Sequence, residues 1–274
     1  HLEYALHQRR KTPHRDCYFD NYAKCLKYGK ITWSGTTPTA VVRTAVSHLT
    51  DGYTVVDGYD TTVTGYSDYA ANVGKYSDIV LDTVNGGSDA SPIPVIAYSV
   101  IDVSSGDVSL RIARGKSTAP STTGAVITSE GTTPTDVTRG WYYTDVTPAN
   151  SSLIPSGVQL GNYVSMAIDA GGNLHIATQD AEDGDLYYIY LTYSSSADSG
   201  YTVAACYKVD SANSVGKWTD IKLESSSGTS SVYGLKCSPV ISYLDATNIE
   251  NKKAVKTAFV ASSTRATDGV WEHM

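Results

Sequence analysis

The densest concentration of chemically active side chains is the turn Asp180-Ala-Glu182-Asp183-Gly-Asp185, four carboxylates in six residues around a glycine. Hard cations such as calcium take carboxylate oxygens of this kind, and a divalent ion would relieve their mutual repulsion. Asp180, Glu182, Asp183 and Asp185 are therefore the metal candidates, with calcium as the one cofactor to be expected. The bidentate glutamate of an EF-hand loop is missing at its proper distance, so a solvated acidic hairpin turn is the competing expectation. A second set is aromatic. Tyr142, Tyr143, Tyr188 and Tyr190 lie in β-type runs, and an amphipathic ring at a sheet edge can stack on a sugar or a partner protein. With Arg111 they are the candidate ligand-binding residues. Arg111 and Arg114 lie three apart on one run and so point to opposite faces.

Other chemistries find little support. There is no Gly-x-Ser-x-Gly elbow and no HExxH helix. None of the six His has an obvious partnering context, and His175, inside a β-type run, reads as a core or rim residue. Cys17, Cys25, Cys206 and Cys237 show no CxxC spacing, which argues against zinc. They are expected as small buried thiols, although Cys17 and Cys25 flank a turn at Asp20-Asn21 and could face each other across a hairpin. A formal net charge of −7 and a pI near 5.3 argue against a nucleic-acid partner, which would need a basic stripe. No run reaches the length of a membrane helix. The chain starts with neither Met nor a signal peptide, and is expected to be part of something longer or already processed.

The elements that must carry these side chains are strands. With 21 Tyr against 2 Phe and 2 Met, the composition is strand-and-turn chemistry and predicts an all-β fold. The clearest stretch is Tyr163-Val-Ser-Met-Ala-Ile-Asp169, a turn over Ala-Gly-Gly-Asn173, Leu174-His-Ile-Ala-Thr-Gln-Asp180, the acidic turn, and Leu186-Tyr-Tyr-Ile-Tyr-Leu-Thr-Tyr193. Glycine and Asn supply the positive φ a hairpin needs, and two or three strands alone are marginal in water, so the meander requires neighbours of its own kind. Weaker copies supply them. Residues 1–16 read as a loose or non-native arm. Four units follow at about 17–35, 76–146, 163–223 and 232–274, each ending in a Trp strand, with 36–75 an insertion or a degenerate fifth unit. In the first unit Cys17-Tyr-Phe-Asp20, Tyr22-Ala-Lys-Cys-Leu-Lys-Tyr28 and Lys30-Ile-Thr-Trp33 align with second, third and fourth strands. Its first strand is either missing or hidden in the arm.

Such units, each unable to bury both faces alone, predict a β-propeller of four-stranded antiparallel blades, four or five in number, with a ring that further blades from a longer chain or another subunit would complete. Ser211-Ala-Asn-Ser-Val-Gly-Lys-Trp218 and Thr264-Arg-Ala-Thr-Asp-Gly-Val-Trp271 resemble degenerate Asp-box (BNR) motifs of sialidase-like propellers, and the Pro-x-Ile-Ala-Tyr phrase at 94–98, with its variant at 239–243, resembles the second strands of bacterial extracellular propeller repeats. The resemblance implies an extracytoplasmic, non-enzymatic module of a secreted or surface protein that binds a glycan or a protein. The alternative it implies is an Asp-box glycoside hydrolase, whose family uses three arginines on a substrate carboxylate. Arg43, Arg111, Arg114, Arg139 and Arg265 are the arginines outside the arm.

Overall fold

Short runs of Val, Ile and Tyr, closed by Asp and Gly at turn positions, leave the backbone little choice but to pair as strands. A computed structural model describes residues 14–21, 25–34, 37–39, 54–57, 71–89, 92–115, 141–194, 200–211, 214–224, 238–249, 252–259 and 271–274. Among them there are sixteen strands and no helix, in four antiparallel sheets that follow one another along the chain. The all-β expectation holds.

Sheet I contains β1 (His14–Asp20), β2 (Cys25–Ser34), β3 (Thr37–Thr39) and β4 (Thr54–Asp57). Sheet II is the meander β5 (Ala71–Asp82), β6 (Ile93–Asp102), β7 (Val108–Gly115) and β8 (Trp141–Val146). Sheet III is β9 (Leu160–Ile168), β10 (Leu174–Asp180), β11 (Leu186–Tyr193) and β12 (Tyr201–Asp210). Sheet IV is β13 (Lys217–Glu224), β14 (Ser238–Ile249), β15 (Lys252–Phe259) and β16 (Glu272–His273). The first strands lie side by side, β5 against β9 and β9 against β13.

Turns are closed by the residue type that ends the strand. Asp82 Oδ1 accepts from the N–H of Val84 and Asn85, Asp169 Oδ1 from Gly171 and Asn173, and Asp102 Oδ1 from Ser104 and Ser105. These Asx-type bonds give the chain a turn without a helical alternative. Sheets II and III bury apolar side chains on both faces and sheets I and IV on the face turned to them, so a buried cluster forms at every joint. Leu26, Tyr28 and Val56 meet Ile96, Tyr98 and Trp141 at joint I/II. Leu110, Ile112 and Val146 meet Leu160, Met166 and Ile189 at joint II/III. Tyr188 and Val209 meet Ile241, Tyr243 and Trp271 at joint III/IV.

The strand boundaries correct three expectations. Trp218 does not close the third unit: it lies on β13, which opens sheet IV, and the fourth strand of sheet III is β12. Trp141 and Trp271 do stand at the start of fourth strands, whereas Trp33 lies within β2. The segments at 22–28 and 30–33 are not two strands, since β2 runs through Gly29 without a turn. Of residues 36–75, the described ones are β3 and β4, both paired to β2, and the start of β5, while 36, 40–53 and 58–70 lie outside the described residues. Residues 1–13 of the arm and the expected strand at 232–237 lie outside the described residues.

Candidate functional site

The three first strands share one pattern. It reads Gly74-Lys-Tyr-Ser-Asp-Ile-Val-Leu-Asp82 in β5, Gly161-Asn-Tyr-Val-Ser-Met-Ala-Ile-Asp169 in β9 and Gly216-Lys-Trp-Thr-Asp-Ile-Lys-Leu-Glu224 leading into β13. Each copy starts at a glycine of positive φ, 92° at Gly74, 136° at Gly161 and 76° at Gly216. The glycine is required twice over, because a Cβ on Gly74 would lie 2.8 Å from the Leu26 Cβ and one on Gly161 2.8 Å from the Ser109 carbonyl oxygen. Immediately after it the strand register slips, between Val73 and Ser77, between Asn162 and Ser165, and between Lys217 and Asp220. A bulge re-aims the side chain it carries.

At all three bulges that side chain is aromatic. The rings of Tyr76 and Tyr163 are 4.7 Å apart, and those of Tyr163 and Trp218 are 5.2 Å apart, so one continuous row crosses the three strands. Trp218 is 68% exposed, and Tyr76 and Tyr163 are half-buried. Tyr163 and Trp218 have φ of 49° and 54° and are the non-glycine residues of positive φ among the described residues. A left-handed conformation costs a bulky residue about 1–2 kcal/mol, and strain of this kind concentrates at functional sites. Burial and the neighbouring Tyr163 hydroxyl push the Tyr76 phenol up to about 12, so it stays neutral and can donate.

The surroundings hold the row in place. The Thr219 hydroxyl donates to the Tyr163 carbonyl. One step along, Asp78 Oδ2 accepts from the Met166 N–H at 2.8 Å and from the Ser165 hydroxyl at 3.3 Å, and Ser165 Oγ accepts from the Ile221 N–H at 3.2 Å. β5 thus lends a side-chain oxygen to the backbone of β9, and β9 one to that of β13. Burial raises the Asp78 carboxyl above its ordinary range, although these hydrogen bonds oppose it. Lys75 Nζ lies 5.5 Å from the centroid of the Tyr76 ring, and Lys217 stands at the matching place before Trp218. Asp220 is paired with Lys222 at 2.6 Å.

The residues singled out from sequence are dispersed. Tyr143 is buried at joint I/II with its hydroxyl donating to the Val56 carbonyl, and Tyr142 lies half-buried opposite Arg114. Tyr188 is buried with its hydroxyl 2.8 Å from His175 Nδ1, and the half-buried Tyr190 ring is 5.0 Å from the His175 ring. His175 is a core residue. Arg111 reaches Asp57 at 2.9 Å and Asp145 at 2.5 Å. Arg114 points the other way, to Asp82 at 3.5 Å and over the Tyr193 ring at 5.1 Å. The two arginines therefore form no common carboxylate clamp; Arg43, Arg139 and Arg265 lie outside the described residues.

The acidic turn is also committed elsewhere. Asp180 Oδ1 accepts from the N–H of Gln159 and Glu182, and Asp185 pairs with Lys208 at 2.5 Å, while Glu182 and Asp183 face solvent. Asp180 Oδ2 is buried without a hydrogen-bond partner, but no three His, Cys, Asp or Glu side chains among the described residues are placed to hold a metal ion. Cys17 and Cys206 are free thiols; Cys17 lies opposite Tyr28 and Cys25 opposite Asp20, so Cys17 and Cys25 do not face each other. Burial pushes Cys17 and Cys206 up to about 12, which leaves them inert. Cys237 lies outside the described residues.

The aromatic row was readable as a thrice-repeated Gly-x-aromatic phrase, but the ring looks like a repeat marker until the bulge shows which way it points. No protein-family model matches the chain, and no curated protein matches it either. Among the described residues no helix is long and apolar enough to cross a membrane.

Proposed function

We propose that the chain is a non-enzymatic recognition module on a β-propeller-type scaffold, belonging to a secreted or surface protein, and that it binds a glycan on the row Tyr76, Tyr163 and Trp218. The scaffold reading is supported by consecutive meanders whose first strands lie side by side, and by the Asp-box resemblance of the segment that leads into Trp218. The single observation that carries the binding reading is the bulged aromatic row, whose Tyr163 and Trp218 are held at positive φ and whose Trp218 ring is largely exposed. Rings of this kind offer flat apolar faces to the C–H face of a sugar while phenol hydroxyls reach its oxygens. The hydrolase alternative is disfavoured by the separation of Arg111 from Arg114 and the ion pairs that occupy both.

A glycan array probed with the purified chain tests this. Binding is expected, and Trp218→Ala should weaken it about tenfold or more, or ~1.4 kcal/mol, with the unfolding midpoint unchanged. Equal binding by wild type and Trp218→Ala, or capture of protein ligands alone, would remove the basis for the glycan reading.

A further inference from the structure

Independently of the glycan reading, we infer that the face of sheet IV turned away from sheet III is an interface at which two copies of this chain pair about a two-fold axis. Ile241, Tyr243 and Ala258 point into joint III/IV, so Val240, Ser242, Leu244, Val255, Thr257 and Phe259, which alternate with them, point the other way. The phrase Pro239-Val-Ile-Ser-Tyr243 matches Pro94-Val-Ile-Ala-Tyr98 of sheet II, whose Val95, Ala97, Leu110 and Ile112 fill joint II/III. Sheet IV keeps apolar places on this face without the cover. Leu110, opposite Ser99, is fully buried, whereas Val255, at the same place opposite Leu244, is 77% exposed.

The order of side chains across the face identifies the occupant. Register sets Lys222, Val240, Phe259 and Glu272 in one row over the four strands, with Ser242 and Thr257 in the next row and Leu244 and Val255 in the third. A two-fold axis parallel to the strands and midway between β14 and β15 lays each row on its own reverse. Lys222 then meets Glu272 of the second copy, Val240 meets its Phe259, Ser242 its Thr257 and Leu244 its Val255. Charge falls on opposite charge, hydroxyl on hydroxyl and apolar on apolar. Lys222 and Glu272 both face solvent at the two ends of their row, where a rim contact belongs. A head-to-tail contact lacks a second uncovered sheet face among the described residues. Cys25 and Lys27 alternate with Leu26 and Tyr28, so they point away from sheet II, and both are fully buried. Each copy has sheet IV to offer, and the pairing closes at two.

Sedimentation velocity of the purified chain at physiological salt, where the net charge of −7 on each copy is screened, tests this. A concentration-dependent equilibrium between monomer and dimer is expected. Val255→Lys, at a side chain mostly in water in the single copy, should raise the dissociation constant about a hundredfold or more and leave the unfolding midpoint of the monomer unchanged. Lys222→Glu and Glu272→Lys should each raise it about tenfold, and the two changes together in one chain should restore it, because the exchanged charges still meet their opposites across the axis. A chain that stays monomeric up to about 100 μM overturns the inference, as does assembly beyond a dimer. So does a dimer indifferent to Val255→Lys, or a double charge exchange that fails to restore association.

Discussion

Joints I/II and III/IV are built alike, and joint II/III is not. At joint I/II the Tyr98 hydroxyl of β6 donates to Asp57, the last residue of β4, and Arg111 of β7 reaches the same carboxylate. At joint III/IV the Tyr243 hydroxyl of β14 donates to Asp210, the last residue of β12, and Lys256 of β15 reaches it in turn. Strand register places Tyr98 opposite Arg111 and Tyr243 opposite Lys256. Trp141 packs on Tyr28 at 5.2 Å and Trp271 on Tyr188 at 5.1 Å, each with its indole N–H buried and without a partner. At the middle joint the corresponding places hold Val146 and Thr178, so carboxylate and phenol have gone together and the largest apolar cluster takes over. A buried carboxylate is tolerated only with its donors, so the members change as a set. The packing repeat is thus two sheets long, although the strand repeat is one.

The two copies differ in depth, and that difference gives the largest expected effect. Asp57 is fully buried and Arg111 nearly so, whereas Lys256 is about a quarter exposed (28%) beside Asp210. Arg111→Ala takes the guanidinium from a fully buried carboxylate, which the Tyr98 hydroxyl alone does not neutralise, and should cost about 3–5 kcal/mol. Lys256→Ala, near water and with Tyr243 still donating to Asp210, should cost about 1 kcal/mol or less. Urea unfolding of both variants measures the gap. Equal losses would mean that the joints are not graded by burial, and the comparison would reduce to a likeness of sequence.

Much of this was legible in the chain, for identifiable reasons. Period-two alternation and Asp-Gly turns gave β9, β10 and β11 nearly to the residue, because a local hairpin is decided by its own turn chemistry. The second strands at Pro94 and Pro239 were legible too. The unit boundary at Trp218 was not. A Trp that packs in a joint, as Trp141 does, and one that projects from a bulge, as Trp218 does, look the same in sequence, and the neighbouring Gly216 decides between them through a contact with Leu186 that lies thirty residues earlier. Likewise Tyr143 and Tyr188 read as exposed platforms because nothing local announces their partners, Val56 and His175. Tyrosine's double nature makes its burial a tertiary decision.

A second test concerns the carboxylates that end the first strands. At the middle joint Asp82 meets Arg114 and the Tyr201 hydroxyl, which come from sheets II and III. Asp169 looks to its own sheet instead, to Asn173 and to His175 Nε2 at 3.6 Å, an electrostatic approach rather than a hydrogen bond. Burial alone would raise the Asp169 carboxyl, but His175, Asn173 and the N–H groups of Asn173 and Gly171 outweigh it and bring the value down to about 2. A folded value below the unfolded one stabilises the fold above about pH 4, and the contribution, roughly 2 kcal/mol, is lost as the pH falls towards 2. Asp169→Asn should therefore lower stability at neutral pH and flatten the fall between pH 4 and 2. An unchanged acid limb in the variant would assign that limb to other carboxylates.

The smallest effect should come from the residue that looks most like the joint tryptophans. Trp218→Gly removes a large ring, and the same change at the fully buried Trp141 would open a cavity worth about 3–5 kcal/mol. At Trp218 the ring is largely in water and the backbone is held at φ 54°, so relief of about 1–2 kcal/mol of left-handed strain offsets the greater chain entropy of glycine and the lost contact with Tyr163. Stability should stay within about 0.5 kcal/mol of wild type. A large loss would make Trp218 part of the packing, and the strain at its backbone would then be the cost of a joint rather than of a binding surface.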